Sequence, residues 1–302
     1  MNLQENLSAC RLCPHECGVD REAGQKGYCG AGARVRLYRS GPHHGEEPPI
    51  SGYAGSGTVF FSRCTLRCIY CQNYPWSQQA GGRVIGNGEL GDIFANLADA
   101  GRHNINLVSP TPWLPMIEET FERGKSLPGG IPVVYNTSGY EKVETLGRIE
   151  SFVDIYLTDL RYSDAGSAEE GSGASDYPAV ARAAFKEMWR QKGALEVDSR
   201  GIARKGVICR LLVLPGREKE AIDNLRWLAN EFDSRPAVSV MSQYMPAYKA
   251  ADREGWNRRV DPGAYGRVVD FFESCGFEQG WLQEIDDTPD ELVGFNMKSG
   301  TE

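Results

Sequence analysis

From residue 57 onward, short apolar runs rich in β-branched residues alternate with stretches whose apolar positions recur every three or four residues. GTVFFS (57–62), INLVS (105–109), IPVVYN (131–136), VDIYLTD (153–159), GVICRLLVLP (206–215) and AVSVMSQY (237–244) read as strands buried on both faces. Between them, ELGDIFANLADAG sets Ile93, Leu97 and Ala100 at helical spacing with Gly101 as a stop, and REKEAIDNLRWLANEF repeats Ile222, Leu225, Leu228 and Ala229. Six such units, with a seventh strand at GWLQEI (280–285), predict an α/β fold of parallel strands joined by right-handed crossovers. The architecture is either a doubly wound sheet or a complete or partial barrel. Both put ligand chemistry at the carboxyl ends of the strands. Those ends carry Ser62, Ser109, Asn136 with Thr137, Thr158 with Asp159, Pro215 with Gly216, and Gln243 with Tyr244.

Two stretches break the pattern. Residues 1–50 are rich in Cys, Gly and Pro and predict a small cap held by something other than a core, which divides the chain into 1–50 and 51–302. SDAGSAEEGSGASD (163–176) reads as a mobile loop of acidic and small residues.

Composition narrows the class of protein. With 41% hydrophobic and 25% charged residues over 302 positions, the chain is globular rather than disordered. Its 33 Lys and Arg against 41 Asp and Glu leave a net charge of -8, so no general attraction to nucleic acid or to an anionic membrane is expected. MNLQENLSAC lacks a charged region leading into an apolar stretch, and no run approaches the roughly 18 apolar residues of a membrane span. The expectation is a cytoplasmic protein.

The nine cysteines therefore read as thiolate ligands rather than disulfides, and seven of them fall within the first 71 residues. Cys209 and Cys275 stand apart and read as small buried hydrophobes. Cys64, Cys68 and Cys71, in SRCTLRCIYCQNYPW (62–76), have C-x3-C-x2-C spacing just past a strand. Three thiolates on one loop suit a 4Fe–4S cluster with one iron left open, and an open position is the mark of a catalytic rather than a structural site. A zinc completed by a remote ligand and three simply buried cysteines are the alternatives.

That motif, with an aromatic residue before its third cysteine, resembles the radical S-adenosylmethionine (SAM) superfamily. SGTVFFSRCTLRCIYCQNY, NINLVSPTPW, VVYNTSGYE, DIYLTDLRY, RLLVLPG, MSQYMP and the N-terminal CRLCPHECGV extend the likeness to relatives of the pyruvate formate-lyase activating enzyme. The resemblance implies a partial barrel of six βα units, with the cluster on the loop after the first of them. SAM would chelate the open iron and be cleaved reductively to a 5′-deoxyadenosyl radical that takes hydrogen from a substrate.

It implies roles for particular residues as well. Tyr70 would pack near the adenine, Asn136 and Thr137 would contact SAM, and Asp159 would lie near the ribose and a bound cation. The family's Asp-x-Lys is Asp-Leu-Arg here, so Arg161 stands in the lysine's position. Arg210, on a strand expected to line the barrel, would pair with the methionyl carboxylate, since a buried arginine needs a counter-charge. The Gly-Gly-Glu stretch that holds the SAM amino group is replaced by SPTPW (109–113), leaving Ser109 or Thr111 as acceptors. The implied partners are an electron donor such as flavodoxin or ferredoxin and a substrate that is a glycyl-radical enzyme, another peptide or a small molecule. A non-catalytic iron–sulfur electron-transfer or sensor protein is the competing class.

Cys10, Cys13, Cys17 and Cys29 form a second set. Four thiols in a core-poor stretch suit a closed zinc site or an auxiliary iron–sulfur cluster, with unligated cysteines as the alternative. His43, His44, Glu46 and Glu47 in GPHHGEEPP could serve proton transfer or substrate binding near the barrel mouth, but a solvated loop explains them more simply. Gln243 and Tyr244 are substrate-pocket candidates, with core packing as the alternative for the tyrosine. ERGKS (122–126) mimics the end of a phosphate loop, but Glu119 stands where the leading glycine belongs, so it is rejected.

Overall fold

A computed structural model describes residues 3–124 and 130–285. The tail of the rejected phosphate-loop mimic, Lys125 and Ser126, and the last stretch of the second unit, 286–302, lie outside the described residues.

Among the described residues ten strands form one sheet system: β1 (Arg36–His43), β2 (Ser56–Phe61), β3 (Arg83–Val84), β4 (Ile105–Val108), β5 (Val133–Thr137), β6 (Ile155–Asp159), β7 (Glu196–Val197), β8 (Ala203–Leu212), β9 (Ala237–Met241) and β10 (Gly280–Leu282). Their order is β10-β9-β8-β6-β5-β4-β2-β1-β3, with β7 paired to β8 off this path. The run from β2 through β4, β5, β6, β8 and β9 to β10 is parallel throughout and follows chain order without reversal. A doubly wound sheet would reverse direction at a switch point, so the winding is that of a barrel. No ladder joins β10 to the β1–β3 end among the described residues, and the barrel is open. The predicted strands thus stand where the apolar runs placed them, and the partial barrel is the observed alternative.

Helices cover the outer face: α3 (Asn87–Asp99), α4 (Leu114–Gly124), α5 (Val143–Ile149), α7 (Tyr177–Lys192), α8 (Glu218–Phe232) and α9 (Pro262–Cys275). Leu225 and Leu228 of α8 are fully buried, each contributing about 1.5–3 kcal/mol on the usual scale. Every position of β2 is buried, as expected of a strand packed on both faces.

Two expectations are corrected. The stretch 163–176 is not a loop. Asp164 accepts from Ser167 N at 2.8 Å and caps the short helix α6 (Ala165–Ser172), which ends on Gly173 in the left-handed region that glycine favours. Nor does the N-terminal stretch lack a core. Leu3, Cys10 and Leu12 join one apolar cluster and Leu7, Ala31, Val35 and Leu37 another, while β1 pairs antiparallel with β2.

The chain between β1 and β2 folds back through the helical turn α1 (Pro48–Ser51). There Ile50 is fully buried with Val134, Ile155, Leu157, Ile208 and Ala237, residues of four parallel strands. Asn104 Nδ2 donates to Ile50 O at 2.8 Å just before β4 begins, which fixes this turn near the amino ends of the strands. The turn forms a floor beneath a cleft.

Candidate metal and cofactor site

The cleft has a volume of about 680 Å³ and is lined by Cys64, Cys68 and Cys71 together with Asn136, Thr137, Asp159, Arg161, Arg210, Glu46 and Glu47. His43 of β1 and Trp281 and Leu282 of β10 also line it, so both ends of the open sheet border the cavity.

The cysteines lie on the turn that follows β2. Arg63 adopts a left-handed φ of 76° and its N–H bonds Trp76 O at 2.9 Å, which turns the chain sharply out of the strand. Leu66 N donates to Cys64 Sγ at 3.5 Å, and Cys71 Sγ lies 3.2 Å from Ser77 Oγ in the short helix α2 (Tyr74–Ser77). Cys68 Sγ accepts two side-chain donors, Arg161 Nη1 at 2.8 Å and Ser172 Oγ at 3.0 Å. Burial pushes the Cys64 thiol up to about 12 and the Cys71 thiol up to about 11, with the neighbouring Cys68 adding to both. A bound metal is what would draw such thiols into the thiolate form at neutral pH.

Among the described residues no three Cys, His, Asp or Glu side chains stand together at metal-ligating distance. It is the donor chemistry that fits an iron–sulfur cluster: three soft sulfurs from one short loop line one cleft, and each already accepts or shares a hydrogen bond of the kind that stabilises ligating sulfur.

The other sequence candidates fall as follows. Tyr70 is buried beside the cleft rather than on its wall; its hydroxyl meets Tyr162 Oη at 2.7 Å and its ring stacks on Trp256 at 5.5 Å. Asn136 and Thr137 line the cleft at the end of β5. Asn136 Nδ2 donates to Glu46 Oε1 at 3.3 Å. Asp159 ends β6, where Oδ2 accepts from Arg161 Nε at 3.0 Å and Nη2 at 2.6 Å. Gln243 lines the cleft past the end of β9, whereas Tyr244 is buried, its hydroxyl donating to Trp256 O at 2.7 Å.

Arg210 requires a correction. Its counter-charge was assigned to a ligand, yet the protein supplies it. Arg210 Nε and Nη2 donate to Glu47 Oε1 at 2.7 Å and Oε2 at 2.6 Å, and Nη2 also bonds Glu46 Oε2. Glu46 and Glu47 are accordingly not a solvated loop. Burial opposes the charge on Glu47, but the Arg210 guanidinium outweighs it and holds that carboxyl below the usual range. Glu46 Oε1 also accepts from Asn106 Nδ2 at 2.8 Å. The cleft floor is thus a hydrogen-bonded set of two carboxylates, one guanidinium and two amides.

Sequence reasoning also missed Glu141, which is almost wholly buried and accepts from Thr111 Oγ1 at 2.6 Å and from Thr137 Oγ1, with the Tyr135 hydroxyl beside it. Burial pushes its carboxyl up to about 7. Thr111, offered as an acceptor for a ligand amino group, is instead a donor to this carboxyl. Ser109 remains on the cleft wall, with a left-handed φ of 55°.

The second cysteine set is close by. Cys10 and Cys13 are buried, Cys29 is half-buried and Cys17 is exposed. Cys10 N donates to Val19 O at 3.0 Å and Gly18 N to Cys10 O at 2.8 Å, tying the two sides of this turn. Burial pushes the Cys13 thiol up, with Cys29, Glu141 and Cys10 adding to it. His15 links this segment to the cluster loop: its Nε2 is 2.8 Å from Thr65 O and its ring stacks on Tyr28 at 3.7 Å. Cys209 is buried in β8 and Cys275 is half-buried at the end of α9.

Fold and site define a singly wound, open α/β barrel that carries three thiols past its first parallel strand and a cleft over the strands' carboxyl ends. The chain belongs to the family of the uncharacterized protein MJ0674 of Methanocaldococcus jannaschii, with which it is 30% identical over 263 residues, covering 83% of this chain and 70% of that protein. No protein-family model matches it. Among solved structures it is similar to Streptococcus suis SuiB bound to S-adenosylmethionine, with a TM-score of 0.49 and 11% identity over 74% of this chain and 48% of that one. HydG, a maturase of the FeFe hydrogenase, gives a TM-score of 0.49 and 16% identity over 77% of this chain and 52% of that one. The chain spans about half the length of these solved structures. No helix among the described residues is long and apolar enough to cross a membrane.

Proposed function

We propose that this protein is a radical SAM enzyme that holds a 4Fe–4S cluster through Cys64, Cys68 and Cys71. The observation that carries the reading is the lining of one cleft, at the carboxyl ends of the parallel strands, by all three motif cysteines and by Asn136, Thr137 and Asp159. When bound, such a cluster supplies an electron to the sulfonium of SAM, yielding methionine and a 5′-deoxyadenosyl radical that takes hydrogen from a substrate.

The chain's own residues do the rest. Asn136, Thr137 and Ser109 offer neutral polar groups to a ligand at the strand ends, and Asp159 offers a carboxylate oriented by Arg161. Glu46, Glu47 and Arg210 close the floor. The apolar surface of Phe60, Trp76, Met241 and Leu282 limits water at the cavity walls. What supports a polypeptide as hydrogen donor, a glycyl-radical enzyme or another peptide, is the sequence likeness to activating enzymes; a flavodoxin or ferredoxin is the proposed electron source. Zinc or an auxiliary iron–sulfur cluster is proposed for Cys10, Cys13, Cys17 and Cys29.

The test is anaerobic reconstitution with iron and sulfide, followed by incubation with SAM and a strong reductant and chromatography for 5′-deoxyadenosine. The nucleoside is expected from the native chain and not from the Cys64/Cys68/Cys71 triple alanine variant. Iron bound without any nucleoside would favour an electron carrier and overturn the proposal.

A further inference from the structure

The three motif sulfurs are not treated alike. Cys64 accepts one long backbone bond and Cys71 shares one bond with a serine hydroxyl, whereas Cys68 accepts from a guanidinium and a buried hydroxyl at once. Both Cys68 donors are themselves fixed. Arg161 is locked by two bonds to Asp159 Oδ2. Ser172 is wholly buried, and Tyr162 Oη, 2.7 Å from Ser172 Oγ, is in turn 2.7 Å from Tyr70 Oη. This chain begins and ends on the cluster loop, at Cys68 and at Tyr70.

The short helix α6 supplies the second donor and grips the loop by its backbone as well. Arg67 N and Ile69 N, on either side of Cys68, donate to Ser172 O at 3.3 Å and to Gly171 O at 2.9 Å. The last turn of α6 can pack this closely on Tyr162 and Trp256 because position 171 is glycine. A Cβ there would come within 2.4 Å of Tyr162 Oη and 2.6 Å of Trp256 Cη2.

Resting on the cluster reading above, we propose that Arg161 and Ser172 are positioning residues that set the reduction potential of the cluster through Cys68. Hydrogen bonds to a ligating sulfur stabilise the more negative, reduced state, and a fixed cation does so more strongly than a neutral hydroxyl. Removing either donor should therefore make the one-electron reduction harder, with Arg161 having the larger effect. The electron comes from the external reductant in every case; the donors shift where it rests, not where it originates.

The experiment is a redox titration of the reconstituted full-length chain, followed by the electron paramagnetic resonance signal of the reduced cluster. Native protein is compared with Ser172→Ala, Arg161→Gln and Arg161→Lys, and iron content and circular dichroism are recorded for each. The expected result is about a tenfold fall in the ratio of reduced to oxidised cluster at fixed potential for Ser172→Ala, equivalent to about 59 mV for one electron. Arg161→Gln should fall further, and Arg161→Lys should recover part of the loss. Variants that keep their iron but titrate with the native protein overturn the inference and leave the cluster reading standing. Variants that lose iron while the remaining cluster titrates as native show a merely structural role and overturn it too. If the native chain takes up no cluster, the inference falls together with the proposed function.

Discussion

Replacing Glu141 by Gln should stabilise the protein at alkaline pH and not at acid pH. Glu141 carries a carboxyl whose folded value is about 7 against an ordinary 4.5, because burial disfavours its charged form. A displacement of that size is worth on the order of 3 kcal/mol. A raised carboxyl binds more protons folded than unfolded between those two values, so stability falls as pH rises from about 4.5 to about 7 and is flat above. Most of that loss, on the order of 2–3 kcal/mol, accrues between pH 5 and pH 8. Glutamine keeps an acceptor for Thr111 and Thr137 but removes the titration. The measurement is urea unfolding of both proteins at pH 5 and pH 8, at matched metal content. The stability gap between variant and native protein should grow by about 2–3 kcal/mol in the variant's favour across that interval. A gap that stays constant would show that Glu141 does not titrate there, and the argument from its burial would fail.

Arg210→Met leaves Glu46 and Glu47 facing each other without their shared cation and should cost about 3–5 kcal/mol in a denaturant melt, with Glu47→Gln in the same chain recovering part of it. Gly171→Ala pushes a methyl against Tyr162 and Trp256 and should cost about 1–3 kcal/mol, read as a lowered unfolding midpoint. Replacement of Cys64, Cys68 and Cys71 together by Ala should abolish the iron proposed at the loop, so that any metal left in an elemental assay is assigned to Cys10, Cys13, Cys17 and Cys29.

The barrel was legible because its strands announce themselves locally. β2, β4, β5, β6, β8 and β9 are short apolar runs separated by helical periodicity, and parallel strands buried on both faces need no partner-specific code. The apolar runs alone left a doubly wound sheet and a barrel open, since strand order is decided by packing between distant elements; the family resemblance implied the partial barrel, and an open barrel is observed. The motif cysteines were legible from their spacing, the strand before them and the aromatic residue before the third, and the structure lines one cleft with all three. Helix α6 went unread although its signals were present: Asp164 before Ser167 is a capping pattern, and Gly173 is a left-handed stop. Composition outweighed them.

Glu46 and Glu47 were unreadable for a different reason, which bears on what the cleft can bind. Nothing in GPHHGEEPP distinguishes a solvated turn from a buried one, because the residue that decides is Arg210, 163 positions beyond Glu47. The buried guanidinium does have a counter-charge, and the protein supplies it from Glu46 and Glu47 rather than a ligand. Arg161 repeats the pattern, with Asp159 two residues before it. Both arginines that line the cleft are therefore already paired. An anionic ligand group entering it has to displace Asp159, Glu46 or Glu47 from its partner, whereas a group that bridges such a pair, offering an acceptor to the guanidinium and a donor to the carboxylate, gains both contacts and breaks neither. The α-amino and carboxylate ends of an amino acid satisfy that condition, and a simple carboxylate does not.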